Sequence, residues 1–189
     1  PIHTKQAMIK WWGNSIWEYY AATEGGGTVV DASSWSQFPG TVGKAWPGAE
    51  IKIINDDGTE AETDNQGTVF MKLGEATKFE YKGDQAKTKK ERLVIDDQVY
   101  FTVGDIGYLN DEGYLFLCDR KIDMIISGGA NIYPAEIESA FLMHPAVADV
   151  AVFGIPNDEW GEEVKAVVEL NKVYQSSDEL LAELMNFAQ

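Results

Sequence analysis

The chain of 189 residues has few of the residue types from which several kinds of site are built. It has one cysteine, Cys118, which excludes an internal disulfide framework and any metal site with several cysteine ligands. Its two histidines, His3 and His144, are far apart, so a histidine-rich metal site is not expected. The sequence has no run of about 18 apolar residues, so we expect no membrane-spanning helix. The first residues, PIHTKQAMIK, carry neither an initiating Met nor a signal-peptide pattern, which predicts a start inside a longer protein.

Basic residues are also scarce. Fifteen Lys and Arg against 31 Asp and Glu give a formal net charge of −16. Nucleic-acid binding needs clustered cations, so it is not expected, and an anionic membrane surface would repel the chain. Hydrophobic residues make up 44% of the sequence, enough for a folded core. The composition therefore predicts a soluble, acidic protein of a reducing compartment, the cytoplasm.

Short β-strands dominate the first two thirds of the sequence. From 49 to 118 several apolar segments alternate with turn residues, which predicts a small barrel or sandwich. From about residue 119 the predicted order is β-α-β-β-α, an α+β unit. We therefore expect an α+β chain with two parts. The first is 1–118, with a barrel-like subdomain over about 40–118, and the second is 119–189.

Two local patterns give further expectations. Ser176 and Glu179 are spaced as a capping box for a last helix. That helix is predicted to bury four apolar side chains, Leu180, Leu181, Leu184 and Met185. Residues 78–92 hold six basic residues and three acidic ones, which is either a solvated surface or a landing site for a polyanion.

Four stretches must be interpreted together: YYAATEG at 19–25, FPGTVGKAWPG at 38–48, YFTVGD at 100–105 and DRKIDMIISGGANIYPAEIE at 119–138. In this order and spacing they resemble the adenylate-forming superfamily of AMP-binding enzymes. The tail GIPNDEWGEEVKAVVEL at 154–170 resembles its acyl-CoA ligase branch. The resemblance implies a two-step reaction. A carboxylate attacks the α-phosphate of ATP to give an acyl-adenylate, and a thiol, usually that of coenzyme A, then displaces AMP.

The first motif implies three nucleotide contacts. Tyr20 would lie against adenine, Thr23 would offer its hydroxyl to the α-phosphate, and Glu24 would hold Mg²⁺ as a hard oxygen ligand. Without the other motifs, these residues could equally be a core tyrosine, a turn hydroxyl and an exposed glutamate. The following glycines suit both interpretations, because they form a turn and let a ligand approach the backbone.

The later motifs imply the remaining contacts. Asp105 would accept from both ribose hydroxyls, and Arg120 would reach the ribose and phosphate side of the nucleotide. The stretch around 119–123 resembles the family's hinge, but the charged pivot position holds Ile122. Gly128 and Gly129 would lie in the loop presented to the thiol substrate, with a plain β-turn as the alternative.

We find neither the family's glycine- and hydroxyl-rich phosphate loop upstream of YYAATEG nor its C-terminal catalytic lysine. The resemblance therefore implies the C-terminal fragment of an AMP-forming acyl-CoA ligase, inactive alone, whose N-terminal part is missing. Its expected partners are ATP, Mg²⁺, coenzyme A and a fatty or other hydrophobic acid. The alternatives are an adenylation domain that delivers to a carrier protein and a non-catalytic nucleotide-binding or interaction module.

Overall fold

The chain forms two compact units, Pro1–Lys121 and Ile122–Gln189, in a computed structural model that describes residues 2–73 and 79–187. Helices and strands occur in both units, so the fold class is α+β, as the sequence predicts. Within the described residues no helix is both long and apolar enough to cross a membrane. Of the basic stretch 78–92, Lys78 lies outside the described residues.

The first unit contains three helices and nine strands among its described residues. In chain order they are α1 (Ile2–Trp12), β1 (Trp17–Ala21), β2 (Gly27–Asp31), α2 (Ala32–Gln37), β3 (Thr41–Ala45), β4 (Ala49–Ile54), β5 (Gly67–Leu73), α3 (Gln85–Lys90), β6 (Arg92–Ile95), β7 (Gln98–Phe101), β8 (Asp105–Leu109) and β9 (Leu115–Arg120). All the pairings described between these strands are antiparallel.

The predicted barrel is wrong, because the described strands form an open sheet. Their order is β1-β2-β3-β9-β8-β5-β7-β6, and β4 pairs with β5 outside this path. The branch lies at β5, whose start pairs with β8 through Gly67 and Thr68 and whose later residue Met71 pairs with Phe101 of β7. Because β4 pairs along one edge of β5 and the other edge is shared between β8 and β7, the sheet branches there instead of closing on itself.

One apolar cluster lies beneath the part of this sheet that carries the site. Its buried members come from β4, β5 and β9: Ile51, Ile53, Val69, Met71 and Leu115. Tyr20 and Ala22 of the first motif pack against this cluster. The motif is therefore anchored from below by side chains that are distant in sequence.

The second unit consists of two β-hairpins and two helices. Its elements are β10 (Ile125–Ser127), β11 (Ala130–Ile132), α4 (Pro134–Phe141), β12 (Val147–Asn157), β13 (Gly161–Leu170) and α5 (Asp178–Phe187), with strand order β11-β10-β13-β12. Pro134 begins α4, at a position that suits the fixed φ of proline. Phe141, Val147 and Leu184 are buried together and join the two helices to the sheet.

Two expectations for α5 are corrected. The cap is Ser177, whose hydroxyl accepts from the Leu180 backbone N–H at 3.2 Å, so the predicted capping residue Ser176 is one position too early. Leu180 and Leu184 pack in the core, but Leu181 and Met185 are 60% and 59% exposed. The apolar stripe of α5 is therefore narrower than its sequence suggests.

Candidate active site

Tyr20, Asp105 and Arg120 meet on the first unit, although 100 positions separate the first from the last. The Tyr20 hydroxyl donates to Asp105 Oδ2 at 2.5 Å. Arg120 Nε lies 3.6 Å from Asp105 Oδ1. Asp105 and Arg120 face each other in the register of β8 and β9, so the antiparallel pairing itself brings these two side chains together.

The environment of this cluster is asymmetric. The Asp105 side chain is only 12% exposed, whereas that of Arg120 is 68% exposed. Burial and the hydrogen bond to Asp105 raise the pKa of Tyr20 far above its ordinary value, and the nearby charge of Glu24 adds to this. Tyr20 is therefore a neutral donor over the physiological range. A carboxylate has about four acceptor positions, so Asp105 can accept further hydrogen bonds besides the one from Tyr20.

Glu24 lies in the loop between β1 and β2, with both carboxylate oxygens engaged. The Tyr81 hydroxyl donates to Oε1 at 2.6 Å, and the Thr23 hydroxyl donates to Oε2 at 3.0 Å. Burial alone would raise the pKa of Glu24, but hydrogen bonds from Tyr81, its own backbone N–H and Thr23, together with the charge of Lys87, leave that pKa lowered. Glu24 is therefore an ionised carboxylate at neutral pH.

The two glycines that follow the first motif are required by their surroundings. Gly26 has a φ of +76°, and a Cβ on it would lie 2.8 Å from Met71 Cβ. A Cβ on Gly27 would lie 2.6 Å from the Tyr20 carbonyl oxygen. Only glycine lets the chain turn this closely over β5 and return antiparallel to β1. This turn therefore fixes the positions of Thr23 and Glu24.

Gly128 and Gly129, in the second unit, form the two-residue turn between β10 and β11. Both have positive φ, 57° and 82°, as a type I′ hairpin turn requires. A Cβ on Gly128 would lie 2.8 Å from the Trp160 ring, whereas one on Gly129 would meet nothing within 4 Å. The space beside Gly128 is therefore already occupied by the ring of Trp160, a residue that is 54% exposed.

Comparison with known proteins identifies the family of the chain. Residues 136–189 match the AMP-binding enzyme C-terminal domain family. The chain belongs to the adenylate-forming superfamily. Over 151 residues it is 41% identical to the long-chain-fatty-acid–CoA ligase FadD13 of Mycobacterium tuberculosis, an alignment that covers 79% of this chain and 29% of that protein.

Solved structures of adenylate-forming enzymes agree with this assignment. The ATP-bound RpMatB-BxBclM chimera B1 superposes with a TM-score of 0.86 at 32% identity, over 100% of this chain and 37% of the other. o-Succinylbenzoate CoA synthetase from Bacillus subtilis, in complex with its acyl-adenylate intermediate, gives 0.83 at 30% identity, over 98% and 37%. The chain spans about a third of the length of the curated relatives it matches.

The structure groups the predicted residues in two places, one on each unit. Tyr20 contacts Asp105, which faces Arg120, and Thr23 contacts Glu24, all on the first unit. Gly128 and Gly129 lie on the second unit, and Ile122, at the expected pivot, is 87% exposed. Sequence reasoning missed Tyr81, because it stands outside the four motifs and 57 positions from Glu24.

Proposed function

We propose that these residues are part of an AMP-forming acyl-CoA ligase. The ligase would activate a fatty or other hydrophobic carboxylic acid as its acyl-adenylate and transfer the acyl group to coenzyme A. The observation that carries this proposal is the Tyr20–Asp105–Arg120 cluster, whose aromatic, acceptor and cation suit a nucleoside monophosphate. The FadD13 relative, named as a long-chain-fatty-acid–CoA ligase, supports the substrate class.

In this proposal each member of the cluster has a separate task. The Tyr20 ring would lie against adenine, and its hydroxyl would keep the Asp105 carboxylate oriented. Asp105 would accept from the ribose hydroxyls through its remaining acceptor positions. Arg120, mostly exposed, can swing its planar fork toward phosphate oxygens without breaking a short ion pair, since its Nε is 3.6 Å from Asp105.

Glu24 fits a magnesium ligand. Its ionised carboxylate is a hard oxygen ligand. Among residues 2–73 and 79–187 no group of three or more His, Cys, Asp or Glu side chains could hold a metal ion, so the protein would supply few ligands. Mg²⁺ commonly takes one or two carboxylates and completes its shell with phosphate oxygens and water, so a single glutamate suffices. Bound Mg²⁺ would neutralise charge on the phosphates. Thr23 would turn its hydroxyl from Glu24 to the α-phosphate.

The whole reaction requires more than these residues. Because the chain spans about a third of the length of its curated relatives, we infer that residues 1–189 alone do not form acyl-CoA. We propose that 119–123, which spans the boundary between the two compact units, is a hinge, and that Gly128–Gly129 lie beside the incoming thiol. The lone Cys118 favours a reducing compartment, and we propose the cytoplasm.

Calorimetric titration of the full-length gene product with AMP tests the proposal. Asp105→Asn should weaken AMP binding about tenfold or more, because the substitution removes the charge and turns one of the two acceptor oxygens into a donor. The matched control is Asp111→Asn in the exposed turn between β8 and β9, which should leave affinity unchanged. Equal affinities for all three proteins would contradict a nucleotide site at Asp105.

A second assay separates a ligase from a nucleotide-binding module. The full-length gene product should release AMP from ATP only when both a hydrophobic acid and a thiol acceptor are supplied. Coenzyme A and a phosphopantetheinylated carrier protein are compared as acceptors, and the proposal expects turnover with coenzyme A. AMP binding without AMP formation would leave only the module, and turnover with the carrier protein alone would replace the proposed acceptor.

A further inference from the structure

Tyr81 joins the loop that precedes α3 to the first motif. Its hydroxyl donates to Glu24 Oε1 at 2.6 Å across 57 positions of sequence. Tyr81 lies outside the four motifs, and none of the roles proposed above belongs to it. The contact matters because Glu24 is the proposed magnesium ligand. A glutamate side chain without such a contact can adopt many rotamers.

Tyr81 is itself held by contacts on two sides. Its backbone N–H donates to Thr88 Oγ1, at 2.9 Å, on α3. The Phe79 ring meets the Tyr81 ring edge-on at a centroid distance of 4.9 Å. Phe79 in turn packs edge-on at 5.4 Å against Phe101, which is 2% exposed. The ring is therefore tied to the buried part of the sheet, and its hydroxyl has a fixed place from which to donate.

A cation also contacts the ring. Lys87 Nζ lies 4.2 Å from the Tyr81 ring centroid, the geometry of a cation–π contact. Glu91, at the end of α3, is the second acidic group that faces the Tyr81 hydroxyl. Asp84 caps α3 by accepting from the Lys87 backbone N–H at 2.9 Å, so the helix that carries the cation is also fixed.

We propose that Tyr81 is a positioning residue that orients the Glu24 carboxylate toward metal-bound nucleotide. The inference rests on the proposed function, since it takes Glu24 as the magnesium ligand. Holding Oε1 from one side restricts the carboxylate before nucleotide arrives, so less conformational entropy is lost on binding. Tyr81 needs no contact with nucleotide for this task, and it acts only through Glu24.

The test compares two ligands on the full-length gene product. Tyr81→Phe should raise the Kd for ATP in excess Mg²⁺ about threefold to tenfold. The Kd for AMP in chelator should stay unchanged, because AMP relies on Tyr20 and Asp105. Tyr100→Phe is the matched control, since it removes another tyrosine hydroxyl that bonds a glutamate, Glu50, and it should change neither Kd.

A double-mutant cycle shows whether Tyr81 acts through Glu24. In a Glu24→Gln background, Tyr81→Phe should weaken ATP binding much less than it does in the wild type. An equal loss for AMP and ATP would make Tyr81 merely structural and would overturn the inference, as would a loss of ATP affinity that is undiminished in the Glu24→Gln background. Failure of wild type to bind either nucleotide would instead overturn the proposed function, and the inference with it.

Discussion

Replacing Tyr20 with Phe removes a single hydroxyl and leaves the ring on its apolar cluster. The lost group is the donor to Asp105 Oδ2 at 2.5 Å, and the Asp105 side chain is only 12% exposed. A hydrogen bond to a charged group contributes about 1.5–3 kcal/mol. Arg120, 68% exposed with its Nε 3.6 Å from the carboxylate, offsets little of that loss. We expect the free energy of unfolding of the first unit to fall by about 1–2 kcal/mol.

Urea denaturation followed by tryptophan fluorescence measures this change. Five of the six tryptophans lie in the first unit, so the signal reports mainly on the unit that carries Tyr20. Tyr19→Phe is the matched control, because Tyr19 is the neighbouring residue of β1 and is 75% exposed. That control should change stability by less than about 0.5 kcal/mol. Equal losses in the two variants would refute the assigned role of the hydroxyl.

The dependence on pH gives a second check. Because the folded-state pKa of Tyr20 is raised above the ordinary value of 10.0, the folded protein keeps this proton after the unfolded chain has lost it. Its stabilising contribution is therefore complete below about pH 10 and declines as the pH rises further. The stability difference between wild type and Tyr20→Phe should shrink above pH 10. A difference that is constant from about pH 8 to about pH 11 would contradict the raised pKa.

Three further outcomes are expected. Burial raises the pKa of Tyr100 to about 12, so the tyrosinate absorbance lost in Tyr100→Phe should titrate near 12 in place of 10. Gly128→Ala should cost more stability than Gly129→Ala, since both strain a positive φ, about 1 kcal/mol each, but only the Gly128 Cβ meets a ring at 2.8 Å. Ser177→Ala should destabilise the second unit by about 1 kcal/mol and Ser176→Ala by much less, measured by thermal unfolding.

The sequence predicts most strands of the fold because their apolar runs are bounded by turn residues. Turn residues at 111–113 lie between β8 and β9, and Pro134, a residue type suited to the first helical position, begins α4. The open sheet could not be predicted, because it depends on β5 pairing with β8 at Gly67 and with β7 at Met71. Pairing partners along a strand are set by tertiary contacts, which the local pattern of a strand does not contain.

The site divides in the same way. The motifs predict that Tyr20, Glu24 and Asp105 belong to the site. They do not predict that Tyr20 donates a hydrogen bond to Asp105, because a tyrosine that stacks on a base needs no such bond. Tyr81 carries no sequence signal, because its contact with Glu24 depends on how the loop before α3 returns to the sheet. Outside the site, the spacing of Ser176 and Glu179 fits a capping box, and only the backbone geometry shows that the adjacent Ser177 is the cap.

Two carboxylates of the candidate site are each held by a hydrogen bond from a tyrosine hydroxyl. Asp105 accepts from the Tyr20 hydroxyl, and Glu24 accepts from the Tyr81 hydroxyl. A tyrosine that remains neutral stabilises the ionised carboxylate without cancelling its charge, whereas a lysine or arginine at hydrogen-bonding distance would neutralise it. Each carboxylate thus has acceptor positions left, which in the proposed function would serve ribose hydroxyls or a cation. This explains how a chain with a net charge of −16 could serve an anionic nucleotide, since the acids at the site would act as acceptors and as a metal ligand.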